Sequence, residues 1–286
     1  MKNALRLLAL VLFLPGTAAA GEFEIFGHLG ITFPFYSQTF TYDPGPVTLN
    51  IPGVTIQQQG VFELKGSGGT SFGFGAAFYF VKSVALEARV DYASIDVKAS
   101  GASYRVTVNL PAPLPPVNSD LDLGAGTVDL DRLSPISLNL RFQTPGKFGF
   151  GISGGVSYLP AFGLTATQTI GLGVTQLDVG NQRLDVGTLP FQARIEPVSL
   201  PGLESPSRWG FNGGVILRIP LNAKVSIVGD ARYFRFNEST ATWTRADSRA
   251  LSDIEGLLLQ QVQQRLPNIT FRPEWFQATG GLAITF

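Results

Sequence analysis

Apolar and polar side chains alternate with a period of two in eight stretches of this chain: 22–33, 71–80, 84–92, 136–142, 148–158, 209–219, 225–233 and 275–286. A period of two marks a strand with one apolar face, because successive side chains leave a pleated backbone on opposite sides. The second stretch sets Phe72, Phe74, Ala76, Phe78 and Phe80 against Gly73, Gly75, Ala77 and Tyr79. The third sets Val84, Leu86, Ala88, Val90 and Tyr92 against Ala85, Glu87, Arg89 and Asp91. Charges thus occupy every second position of a segment that is otherwise apolar. At roughly 3.3 Å per residue, about ten tilted residues cover an apolar band of about 25 Å.

The connections give the order. Three are short (81–83, 143–147 and 220–223), and they alternate with four long ones (36–70, 94–134, 159–207 and 236–273). This asymmetry predicts an all-β fold, an antiparallel up-and-down barrel of eight strands, with short turns at one end and long loops at the other. Further alternating stretches, 104–110 and 174–186, read as strands that project past the barrel wall, although they leave ten or twelve strands open. Pro111-Ala112-Pro113-Leu114-Pro115-Pro116 reads as a stiff, exposed polyproline-type spacer. Within 248–265, Leu251, Ile254, Leu258 and Val262 recur at helical spacing after Asp247, a suitable N-cap. They predict one short loop helix whose stripe packs on the loops or lids the barrel mouth.

The two ends of the sequence add a destination. Lys2 and Arg6 precede the apolar run 7–14, Pro15 and Gly16 break it, and Ala18-Ala19-Ala20 suits cleavage. Residues 1–20 are therefore expected to be a secretory signal peptide, with residues 21–286 forming a single barrel domain. No segment reaches the 20 or so apolar residues that a membrane-spanning helix needs, so a membrane-embedded form of this chain has to be a closed barrel. The last strand carries polar Thr279, then Gly281, Ile284 and terminal Phe286. That spacing is similar to the C-terminal assembly signal of bacterial outer-membrane β-barrels. With the leader, the alternating strands and the turn and loop asymmetry, the whole of 21–286 resembles the small outer-membrane barrels of the OmpA, OmpX and OmpW type. The resemblance implies a bacterial outer-membrane location, periplasmic termini and extracellular long loops. It also implies outer-membrane lipid, lipopolysaccharide and the barrel assembly machinery as partners, and a monomer. Unlike the OmpW type, the inner face is charged, and unlike the full OmpA type, no peptidoglycan-binding domain is expected after Phe286.

Composition narrows the chemistry. Lys plus Arg equals Asp plus Glu at 21 each, which leaves no basic surface for nucleic acid. There is no cysteine, hence no disulfide, no thiolate metal site and no lipidated N-terminal Cys. The 33 Gly and 22 Phe suit close-packed barrel walls and a lipid-facing surface, and a mean hydropathy of +0.19 suits alternating strands. The inward positions gather Glu24, Glu87, Asp91 and Asp230 against Arg89, Arg141, Arg218 and Arg232, with His28, the only histidine, among them. Four anions balance four cations, so the expected arrangement is a salt-bridged network filling the lumen. The inward glycines leave open the alternative of an aqueous path, a narrow porin-like channel or small-solute transporter. A lipid-modifying enzyme ranks third, since no nucleophile motif accompanies His28. No catalytic, cofactor-binding or metal residue is assigned; the expected role is structural or surface interaction, with the ligand of the loops unknown.

Overall fold

The computed structural model describes residues 21–286 apart from 44–45, 49–51, 145–147, 161, 172–176, 180–181, 185–187, 196–208, 252–255, 257–258 and 261–262. The proposed leader, 1–20, lies outside the described residues.

Eight strands close a barrel: β1 (Glu22–Pro34), β2 (Gly69–Val81), β3 (Val84–Ala93), β4 (Ile136–Gln143), β5 (Gly149–Tyr158), β6 (Trp209–Pro220), β7 (Val225–Phe236) and β8 (Glu274–Thr285). Each is antiparallel to its sequence neighbours, and β1 pairs with β8 to shut the ring, with Glu24 opposite Thr285 and Pro34 opposite Trp275. Closure leaves no free edge in the ring, so every strand hydrogen-bonds on both sides. The first and last strands stay paired to their ends, where Phe286 N–H donates to the Phe23 carbonyl at 2.8 Å.

The outer face is apolar along the barrel. Leu29, Phe33, Phe72, Phe74, Phe78, Phe80, Leu138, Leu140, Phe148, Phe150, Phe211, Val215, Leu217, Leu282 and Ile284 are all exposed. A continuous exposed apolar surface of this size is unstable in water and is matched by lipid. No helix among the described residues is long and apolar enough to cross a membrane.

The long connections are not simple loops. Ser37–Tyr42, Thr55–Ser67, Gly101–Asn109 and Val117–Ala125 form one sheet, to which Val47–Thr48 and Asp96–Ala99 add through Thr55–Ser67. Thr127–Leu130, Leu164–Gly171, Thr188–Ile195 and Trp243–Arg245 form a second, and Ser239–Ala241 pairs with Ile269–Phe271. Stretch 104–110 therefore falls in the first of these sheets. Of 174–186, residues Leu177–Val179 pair with Gln182–Leu184, and the rest lies outside the described residues. These sheets enclose a core in which Phe40 stacks on Phe62 at 4.6 Å and both meet Trp243 edge-on. The same core runs into the barrel mouth through Phe234, Phe236 and Trp275, whose rings stack at 4.9 and 5.6 Å. Among the described residues, the larger apolar core thus sits beyond the barrel, as a folded cap.

Two local expectations change in detail. The proline run is not an extended spacer but the turn of a hairpin, in which Leu114 N–H donates to the Pro111 carbonyl at 3.1 Å and joins strands 101–109 and 117–125. In 248–265, residues 256, 259–260 and 263–265 are helical. Leu251 and Leu259 pack on the cap core and Leu266 is buried, so this segment serves the cap; Ile254, Leu258 and Val262 lie outside the described residues.

Candidate functional site: the charged lumen and its cap

Period-two geometry decides which side chains enter the lumen. Glu87, Arg89 and Asp91 alternate along β3, and the pairing of β3 with β4 puts Asn139 opposite Glu87 and Ser137 opposite Arg89. The register of β6 with β7 sets Gly214 opposite Arg232 and Ile216 opposite Asp230. All nine charged or titratable residues expected inside the barrel are brought together there, and of these Glu24, Glu87, Arg89, Asp91, Arg141 and Arg232 are almost completely buried.

They form a linked network. Arg89 donates from Nε and Nη2 to the two carboxylate oxygens of Asp91, at 2.7 and 2.6 Å, and from Nη1 to Asp230 Oδ2 at 2.5 Å. Arg232 joins four partners: Asn212 Oδ1 at 2.5 Å, Ser153 Oγ at 2.9 Å, Asp230 Oδ2 at 3.0 Å and Glu87 Oε1 at 3.1 Å. Nearer the short turns, Arg141 donates to Glu24 Oε1 at 2.9 Å and to Gln143 Oε1 at 2.8 Å. Arg218 Nη1 lies 2.7 Å from Glu24 Oε2, an ion pair by distance whose angle falls short of a hydrogen bond. Its other nitrogens reach Ser226 and Thr285. His28 Nε2 lies 2.8 Å from Asp91 Oδ1 and 3.1 Å from Arg89 Nη2. Bidentate and charge-assisted pairing of this kind is what keeps ionised groups stable away from water.

Neutral polar groups complete the network, and the charge pattern alone did not single them out. Asn139 donates to Glu87, Asn212 donates to Asn139 and Ser157, and Gln277 donates to Asp91. Their shared signal in the sequence is parity: each falls on the same face of its strand as the charges.

The inward glycines are closely packed. A methyl group built on Gly73 would lie 2.6 Å from His28 Nε2, on Gly75 2.6 Å from Phe26, and on Gly214 3.1 Å from Arg232 Cβ. Glycine at these positions makes room for the large lumen side chains, which then occupy it. A cavity inside the barrel, lined by Phe26, His28, Glu87, Arg141, Ile216, Val228 and Asp230 among others, measures about 10 Å³. That is the lower limit for one water molecule. Above it, Trp275, Phe234 and the cap core cover the long-connection end.

Among the described residues, the His28 ring nitrogen Nε2 is shared by Asp91 and Arg89. Among the described residues, no group of three or more His, Asp or Glu side chains could hold a metal ion. In the last strand, Thr279 and Gly281 face inward: Thr279 Oγ1 donates to the Asp230 carbonyl at 3.4 Å, and Gly281 abuts the Gly27 carbonyl. Ile284 and Phe286 face outward, Phe286 with 67% of its surface exposed.

In the cap, burial pushes the Tyr36, Tyr42 and Tyr104 phenols above their ordinary range; for Tyr42, nearby Asp43 adds to the rise and Arg265 opposes it. Outside the core, Arg105 donates to both carboxylate oxygens of Asp120 on the exposed sheet face.

No family model and no curated protein matches the chain. Among solved structures, the outer membrane protein OprG of Pseudomonas aeruginosa aligns over 93% of this chain and 96% of its own, at 12% identity and a TM-score of 0.44. The outer membrane protease OmpT of Escherichia coli aligns over 94% and 99%, at 8% identity and a TM-score of 0.40. Neither likeness carries an activity to this chain. The closed antiparallel ring, apolar outside and charged inside, gives the chain the architecture of a small outer-membrane β-barrel.

Proposed function

We propose that this chain is an integral outer-membrane barrel with a structural or surface-interaction role, in which the barrel is a closed support and the folded cap is the part that meets the surroundings. The supporting observation is the filled lumen: Arg89 and Arg232 are fully buried among Asp91, Asp230, Glu87 and Asn212, where a conducting path would need water. In this reading the termini are periplasmic and the cap is extracellular. Thr279, Gly281, Ile284 and Phe286 act as the signal read by the assembly machinery, and residues 1–20 as the cleaved leader. The cap presents a polar sheet face bearing Gln57, Gln59, Ser103, Arg105, Asp120 and Asp122 to the medium.

The competing reading, a narrow channel, is tested by planar-bilayer recording of the purified full chain. A closed support gives no steady conductance; a reproducible unitary conductance from the intact chain would overturn the proposal in favour of a pore.

A further inference from the structure

The short-turn rim has a chemistry of its own. Of the five lysines in residues 21–286, Lys82 and Lys224 fall in the links 82–83 and 221–224 between barrel strands, and Lys147, in the remaining short connection, lies outside the described residues. Lys82 links β2 to β3 and Lys224 links β6 to β7. In the ring order β1-β8-β7-β6-β5-β4-β3-β2 these two seams are opposite one another. Both lysines are exposed, and neither forms an ion pair among the described residues. In the turn 221–224, Asn222 Oδ1 accepts the backbone N–H groups of Lys224 and Val225, both at 2.8 Å, which fixes the backbone and leaves the ammonium unengaged. At the other end, exposed Arg272 meets Glu238 at 2.9 Å and Arg105 meets Asp120 at 2.7 Å, while Lys65, Lys98 and Arg132 stand exposed on the cap without an apolar belt of this kind beside them.

Beside each lysine the outer wall ends in large apolar groups. Phe80 and Val81 adjoin Lys82, Leu221 adjoins Lys224, and with Phe286 all four are more than half exposed. Glu22 is the acidic side chain exposed at this rim among the described residues. A cation on a flexible stem directly beneath an apolar belt stands at the depth where hydrocarbon gives way to headgroups.

We infer that Lys82 and Lys224 are headgroup-binding sites, each pairing with the phosphate of an anionic phospholipid in the leaflet at the short-turn end. The inference rests on the membrane-spanning reading given above. The ammonium groups set the tilt and depth of the barrel from opposite sides, while Phe80, Val81, Leu221 and Phe286 seat in the acyl region.

The test uses the full chain reconstituted in phosphatidylcholine bilayers containing a trace of spin-labelled phosphatidylglycerol or spin-labelled phosphatidylcholine, read by electron paramagnetic resonance. The motionally restricted fraction should favour phosphatidylglycerol by roughly twofold averaged over the contacting lipids, and salt should erase the preference. Lys82→Gln/Lys224→Gln should bring the ratio close to one, while Lys65→Gln, on the cap, should leave it as in the unsubstituted chain. Equal restriction of the two lipids by the unsubstituted chain, or a preference that survives the double substitution, would overturn the inference and leave the barrel reading standing. A spectrum with no restricted component at all would overturn the membrane-spanning reading itself.

Discussion

Replacing Arg232 by Met tests whether the lumen is held by its ion network. Arg232 is fully buried and donates to Asn212, Ser153, Asp230 and Glu87. Met keeps most of the length and apolar bulk but removes the charge, leaving three lumen cations against four anions. Asp230 retains Arg89 at 2.5 Å, and Glu87 retains Asn139 at 2.9 Å, with Arg141 at 3.7 Å and Arg89 at 3.9 Å. Removing one partner of a buried pair costs about 3–5 kcal/mol, and this remaining support places the expected loss near the lower end, about 3 kcal/mol. The double variant Arg232→Met/Glu87→Gln restores charge balance, so its loss should fall short of the sum of the single losses by about 1–3 kcal/mol. Urea unfolding of the reconstituted barrel, followed by tryptophan fluorescence and by the gel mobility of unboiled samples, gives both numbers. A single-variant loss below about 1 kcal/mol, or strictly additive losses, would refute the reasoning, because a group that water can reach is indifferent to its partners.

The glycines supply a paired prediction: Gly73→Ala should cost about 1–3 kcal/mol, since the new methyl meets both His28 and the Val90 carbonyl, whereas Gly280→Ala, with open space around it, should stay within about 0.5 kcal/mol. The same urea titrations check this, and equal effects would disprove the packing account of the inward glycines. Trp243→Ala should destabilise the cap by about 3–5 kcal/mol, seen as fast proteolysis between 37 and 66, with the barrel's gel mobility kept; loss of both together would mean the cap is not separable. Because the buried Tyr36, Tyr42 and Tyr104 phenols have raised pKa values, the unfolded cap loses protons first as pH rises past about 10. Cap stability is therefore present in full below that pH and declines above it; unchanged protease resistance to about pH 12 would contradict this.

The barrel was legible because its wall obeys one rule. In 71–80 and 84–92 the period of two is uninterrupted, one face meeting lipid and the other the lumen, so the pattern gave both the strands and the side each residue faces. The structure extends these strands by a residue or more, as in β7, where Phe234 and Phe236 continue the inward face into the cap. The nine charged lumen positions followed from the same parity. Their partners did not, because Arg89 and Asp230, or Arg141 and Glu24, are far apart in sequence and meet only when the ring closes. The glycines kept an aqueous path open as an alternative: a missing side chain looks like space until its neighbours are known, and here His28, Phe26 and Arg232 lie against them. The cap was the larger omission. Phe40 and Phe62 face each other across paired strands of the first long connection, but Trp243 arrives from the last, so no local pattern announces their common core.

The central claim, that the lumen is closed to water, is tested most directly by a single thiol. The chain has no cysteine, so Ser153→Cys introduces one reactive group at the middle of the network, where Ser153 accepts from Arg232 at 2.9 Å. In the folded, membrane-inserted protein a small charged methanethiosulfonate reagent should leave this thiol unmodified until the barrel is unfolded, while Ser103→Cys on the exposed cap sheet reacts at once. Modification of the two thiols at comparable rates would contradict the closed lumen.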